Sequence, residues 1–167
     1  PHPALRHPSS ALTMIDKEVR LRAGRMLELM YEARGLGLAA NQVAWPFQLI
    51  VLNPSADPAQ KEHEHVLINP VVLDRKGTIE GEEGCLSFPE IYADIIRPEV
   101  VDVQGLDIHG KPIQFRCSGL LARAVQHETD HVHGILFIDR MTRERRNELQ
   151  ADLDRLLAET KAALKRQ

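Results

Sequence analysis

The chain has 167 residues, 43% hydrophobic and 27% charged, a composition that excludes a disordered or collagen-like polymer and suits one packed domain. Its formal net charge of −3 gives no electrostatic reason to expect a nucleic acid or an anionic membrane as partner. Two cysteines, Cys85 and Cys117, are too few for a disulfide framework; no apolar run approaches the ~18 residues of a membrane span, residues 1–10 carry no apolar stretch of a secretory signal, and an intracellular location is expected.

Residues 16–34 read as a first helix. Val19, Ala23, Met26, Leu27 and Met30 recur at helical spacing, Thr13 or Asp16 is placed to cap its start, and Gly35 to end it. The glycine-rich segment Gly35-Leu36-Gly37-Leu38-Ala39-Ala40-Asn41-Gln42 follows. It lacks the Lys-Ser or Lys-Thr of a phosphate loop and, taken alone, reads as an apolar turn. Residues 48–52 form a short β-type run and residues 54–64 an exposed loop. Residues 66–73 form a strand that Asn69-Pro70 marks as an edge or a bend. Residues 100–106 and 113–117 flank a turn at His109-Gly110, which predicts a hairpin. Residues 118–133 read as a second helix, with Ser118 as cap and Gly134 as stop, and residues 143–165 as a last one carrying Leu149, Leu153, Leu156, Leu157 and Leu164. This order predicts an α+β fold, with mostly antiparallel short sheets packed around the second helix, N- and C-terminal helices outside, and one domain over residues 1–167.

The strongest chemical signal is His127-Glu128-Thr129-Asp130-His131. Helix positions four apart share a face, so both imidazoles can hold one divalent ion. Glu128 points about 100° away from His127 and is left free to move protons, which is the arrangement of metal-assisted hydrolysis. A third ligand is needed. The downstream candidates are His133, Asp139, Glu144 and Glu148; His133 lies on another face and is expected to cap the helix end or face solvent. Cys85, in Glu82-Glu83-Gly84-Cys85-Leu86-Ser87-Phe88-Pro89, is the better candidate, because a thiolate binds borderline and soft metals strongly. Cys117 is read as a structural thiol. An oxyanion also needs donors, for which the Gln42 amide and the Leu86 backbone N–H are candidates. His63 and His65, with Glu62 and Glu64, are read as an exposed polar loop rather than a second site.

Together, residues 35–42, Glu83-Gly84-Cys85-Leu86-Ser87 and Gln126-His127-Glu128-Thr129-Asp130-His131 resemble the peptide deformylase family, in order and at matching separations. The resemblance implies removal of the N-formyl group from the initiating methionine of nascent chains. It makes Cys85, His127 and His131 the metal ligands, Glu128 the general base and then acid, and Gln42 with the Leu86 N–H the oxyanion donors. Gly37 and Gly84 would bind the peptide backbone in an extended pose, and Leu36, Leu120 and Ala124 would line the methionine pocket. The implied cofactor is one divalent ion, Fe2+, replaceable by Zn2+ or Ni2+. The implied partners are N-formylmethionyl nascent peptides and, through the last helix, the ribosome, in the cytoplasm of a bacterium or in an organelle. Four positions depart from the family's common residues: Asn41, Ala44, Tyr92 and Arg123. Asp130 is expected to pair with Arg97. The rival readings are a general metallopeptidase and a non-catalytic metal-binding protein.

Overall fold

The computed structural model describes residues 2–166, so Pro1 and Gln167, the outer ends of the expected domain, lie outside the described residues. Of the two residues placed to cap the first helix, Asp16 does so. Its Oδ1 accepts from the Val19 N–H at 2.9 Å, and α1 runs Lys17–Glu32. The helix does not end on Gly35: Arg34 takes the left-handed turn, with φ 57°, and the Gly35 N–H closes on Met30 O at 2.8 Å. Glycine at 35 leaves room for the Leu86 side chain, since a Cβ there would lie 2.9 Å from Leu86 Cδ1.

Five strands form one antiparallel sheet in the order β1 (Gly37–Ala39), β2 (Leu49–Leu52), β3 (His65–Lys76), β6 (Val100–Leu106), β7 (Pro112–Ser118). Strand alternation divides its apolar residues between two helices. Leu49, Val51 and Ile68 pack on α1 through Val19, Ala23, Met26 and Met30. Ile50, Leu52 and Leu67 pack on α2 (Gly119–Val132) through Ala122, Ala124, Val125 and Val132. The sheet thus lies between an outer helix and an inner one, and the inner one carries the polar motif.

Asn69-Pro70 does not mark an edge. β3 lies between β2 and β6, and the pair forms a bulge, with a register shift between Ile68 and Val71 and Asn69 at φ 52°. The bulge frees the Asn69 side chain to bond both main-chain groups of Leu12, each at 2.9 Å. The 107–111 turn is as expected, with Asp107 Oδ1 accepting from the His109 and Lys111 N–H groups and Gly110 at φ 81°. Ser118 stands at the α2 N-cap but makes no side-chain capping bond.

A second sheet, β4 (Ile79–Cys85) paired with β5 (Phe88–Arg97), had no counterpart among the expected elements. Phe88, Ile91, Ala93 and Ile95 of β5 face a separate core with Leu5, Leu136, Phe137, Ile138 and Leu153. Leu153 comes from the C-terminal region, which is not one helix but two: α3 (Arg143–Glu148) and α4 (Gln150–Leu164), parted at Leu149. Among the described residues no helix is long and apolar enough to cross a membrane.

Candidate active site

Helix α2 enters the core by its C-terminal half, and every residue from Ala124 to Val132 is buried. Burying His127, Glu128, Asp130 and His131 costs free energy unless each is partnered. The β4–β5 hairpin supplies most of the partners. Cys85, at the end of β4, comes against the two rings, and one donor atom from each of Cys85, His127 and His131 lies within 4.8 Å of the others. Cys85 Sγ is 3.1 Å from His131 Nε2, close to the ~3.5 Å that separates a sulfur and a nitrogen on one tetrahedral ion. The donor set suits a borderline divalent metal, and among the described residues it is the one such group. His63 and His65 form none; the His65 ring stacks on Phe115 at 5.6 Å.

Glu83, beside the cysteine strand's end, organises the site and was not singled out by motif reasoning. Its Oε2 lies 3.0 Å from His127 Nδ1, and its two oxygens accept from Arg97 Nε at 2.8 Å and Nη2 at 2.9 Å. Burial pushes this carboxyl up, but the hydrogen bonds from Arg97 and His127 outweigh it and hold it at about 2. A carboxylate that stays ionised only accepts, so His127 Nδ1 carries the hydrogen and Nε2 is directed to the Cys85 side. Burial opposes a charge on His127, yet hydrogen bonds to Cys85 and Glu83 raise its pKa to about 10, and the groups that draw a proton to this ring would equally draw a metal ion in the proton's place. His131 is driven the other way, to about 3, by burial and by the neighbouring His127, which keeps it in the neutral form that ligates metals. Arg97 also donates to Asp130 at 2.6 Å, the expected pairing, and Arg140 holds the other Asp130 oxygen at 2.7 Å.

Glu128 is buried and its Oε2 has no protein partner. Burial raises its pKa to about 7, where a carboxyl both takes and returns protons near neutrality. Gly37 makes room for it, because a Cβ at 37 would lie 2.7 Å from Glu128 Oε1 and 2.9 Å from Leu52 Cδ2. Gln42 is fixed by its own loop. Its Oε1 accepts from the Ala39 N–H at 2.8 Å, which turns Nε2 toward Ser87 Oγ at 3.0 Å and Cys85 Sγ at 3.8 Å. Asn41 donates to His131 O at 2.6 Å, tying the same loop to the end of α2.

These groups open on a cleft of about 490 Å³, lined by Leu36, Gly37, Gln42, Gly84, Cys85, Leu86, Leu120, Ala124, His127 and Glu128. His131 lies beneath it, 1% exposed. The residues to which the sequence assigns site roles therefore meet at one place. The cleft is also lined by Tyr92 and Arg123. The Tyr92 ring lies over Gly84, where a Cβ would be 2.6 Å from it. Arg123 donates to Glu83 rather than standing free. His133 is exposed at the end of α2, with its ring nitrogen 2.8 Å from Thr129 O, and takes no part. Cys117 is buried in β7 away from the cleft, and burial pushes its thiol up to about 11.

The profile of the family described as "Polypeptide deformylase" matches residues 1–147. A peptide deformylase of Rhodopirellula baltica is 42% identical over 154 residues, covering 92% of this chain and 76% of that protein. The chloroplastic peptide deformylase 1B of Oryza sativa is 44% identical over 143 residues, 85% of this chain and 53% of that protein. The crystal structure of the Plasmodium falciparum peptide deformylase superimposes with a TM-score of 0.93 at 35% identity, covering 97% of this chain and 95% of that one.

Proposed function

The chain belongs to the peptide deformylase family, and from that premise we propose how its own residues remove the N-formyl group from the initiating methionine of nascent polypeptides. The observation that carries the reading is the convergence of Cys85, His127 and His131 beside an unpartnered buried Glu128. These three residues would hold one divalent ion, for which we propose Fe2+, with Zn2+ or Ni2+ able to replace it. When bound, that ion supplies Lewis acidity at the formyl carbonyl and eases loss of a proton from water.

The chain's own groups do the rest. Glu128 takes a proton from the water that attacks the formyl carbon. The Gln42 amide and the Leu86 backbone N–H donate to the developing oxyanion. As the carbon–nitrogen bond breaks, Glu128 returns the proton to the leaving amine, and formate and a free amino terminus result. Gly37 on β1 and Gly84 on β4 both line the cleft, where an extended backbone would bond to both strands. Leu36, Leu120 and Ala124 would receive the methionine side chain.

We read residues 1–167 as one catalytic domain. We place it in the bacterial cytoplasm and assign the C-terminal helical region, α3 and α4, a contact with the ribosome near the emerging chain. Cosedimentation with ribosomes that survives removal of residues 143–167 would refute that contact.

The central test is anaerobic. Formate release is measured from a formyl-methionyl peptide and from its unformylated twin, with metal analysis of the same sample. Formate from the first, no cleavage of the second and one ion per chain are expected. Cleavage within the unformylated peptide would favour the general metallopeptidase, and metal without turnover the non-catalytic reading.

A further inference from the structure

Arg123 stands one helical turn before His127, on the same face of α2. Both terminal nitrogens of its guanidinium bond the β4–β5 hairpin. Nη1 donates to Glu83 Oε1 at 2.8 Å, to Ile95 O at 3.0 Å and to Gly81 O at 3.2 Å, while Nη2 donates to Ile79 O at 3.2 Å. These acceptors come from both strands of the hairpin, so one side chain holds β4 and β5 together and fastens both to α2. The side chain is 13% exposed and pairs with the Glu83 carboxylate. It therefore lines the cleft as a partnered cation rather than a free one.

Glu83 is the junction. Two guanidinium groups, from Arg97 and Arg123, share its Oε1, and its Oε2 takes Arg97 Nη2 and His127 Nδ1–H. Arg97 also holds Asp130, so the Arg97 link depends on the far end of α2. Arg123 adds a direct tie from the helix turn that carries His127. Gly81 fits this arrangement, because a Cβ there would lie 3.0 Å from Arg123 Nη2 and 3.2 Å from Cζ, in the space the guanidinium fills. An aliphatic side chain at position 123 would fill volume but leave Glu83 with one guanidinium partner and the strand carbonyls without this donor.

We propose that Arg123 is a positioning residue: through Glu83 it sets the orientation of the His127 ring, and through the strand carbonyls it holds Cys85 opposite that ring. The inference rests on the metal site proposed above. Partners that orient a ligating histidine typically contribute ~10–100-fold to metal affinity or activity.

The test uses the metal-loaded full chain. Zinc release to a chelator is timed, and the visible absorption of the cobalt-loaded protein is recorded, for Arg123→Met, Arg123→Lys and Gly81→Ala. Met26→Ala serves as a control that loosens the core under α1, remote from Glu83. Arg123→Met is expected to release zinc ~10-fold faster and to shift the cobalt bands. Arg123→Lys should recover part of both. Gly81→Ala, which displaces the guanidinium without removing it, should move both readouts in the same direction by less. Met26→Ala should lower the melting temperature and leave both unchanged. Release and spectra in Arg123→Met equal to wild type, or equal acceleration by Met26→Ala, would overturn the positioning role. A wild-type chain that takes up no zinc would overturn the metal site itself, and this inference with it.

Discussion

Glu128 and Cys85 carry the two separate duties proposed for the cleft. Glu128 touches no other site side chain by hydrogen bond, and its Oε2 is unpartnered and buried. Glu128→Gln keeps its shape but cannot take up a proton, so turnover should fall by a factor of ~10²–10⁴ with metal content unchanged. Formate released per bound ion is the measurement, and undiminished turnover would remove the proton-transfer role. Cys85 instead contributes a donor atom at the convergence of three. Cys85→Ala should lower the metal stoichiometry itself, read by elemental analysis of the purified protein; an unchanged stoichiometry would place the third ligand elsewhere. Both outcomes depend on neighbours that leave room: Gly37 for the Glu128 carboxylate, and Gly84 for the Tyr92 ring.

The short connections between elements carry strain and capping that the same experiments would not reveal. Ala44 ends the 3-10 turn Ala40–Val43 in the left-handed conformation, φ 59°, which suits glycine better. Ala44→Gly should raise stability by about 0.5–1 kcal/mol, read as an upward shift of the denaturant midpoint. Asp139 caps the turn Phe137–Asp139 by accepting from the Leu136 N–H at 2.9 Å, and it pairs with Arg6. Burial pushes its carboxyl up, but the Arg6 hydrogen bond prevails and holds it below the ordinary 3.8. A carboxyl with a lowered folded-state pKa stabilises the fold above its unfolded-state value, and that contribution disappears as pH falls through the lowered one. Asp139→Asn should therefore cost on the order of 1 kcal/mol near neutrality, and the gap to wild type should narrow in acid. Chemical denaturation at neutral pH and at about pH 3 checks it; a gap that stays constant would exclude the ion pair as its source.

Across the whole molecule the cleft is a seam between two packed bodies of structure: the five-stranded sheet with α1 and α2, and the β4–β5 hairpin with its own apolar core. Leu153 of α4 is 7% exposed in that second core, against which Cys85 also packs. Leu153→Ala should cost ~2–5 kcal/mol, read by urea denaturation, and a change under about half a kcal/mol would show that α4 does not support the hairpin. Helix α1, the turn at residues 107–111 and the ligand pair on α2 were legible along the chain because each is set by local period, by a turn residue or by four-residue spacing. The residues proposed as ligands, oxyanion donors and pocket lining were named from ordered motifs, and the fold brings them to one cleft. The β4–β5 hairpin was not, although Ile91, Ala93 and Ile95 alternate in β5. Strand β4 reads Ile-Glu-Gly-Glu-Glu-Gly-Cys and shows no apolar face, because only Cys85 at its end packs on a core and its buried Glu83 is partnered by charges. Asn69-Pro70 in an interior strand and the break at Leu149 likewise depended on what packs against them. Local chemistry named the groups proposed to react. Which distant groups hold them in place, Glu83 between Arg97, Arg123 and His127 above all, was settled by folding, because a buried charge is defined by its neighbours in space and leaves no period along the chain.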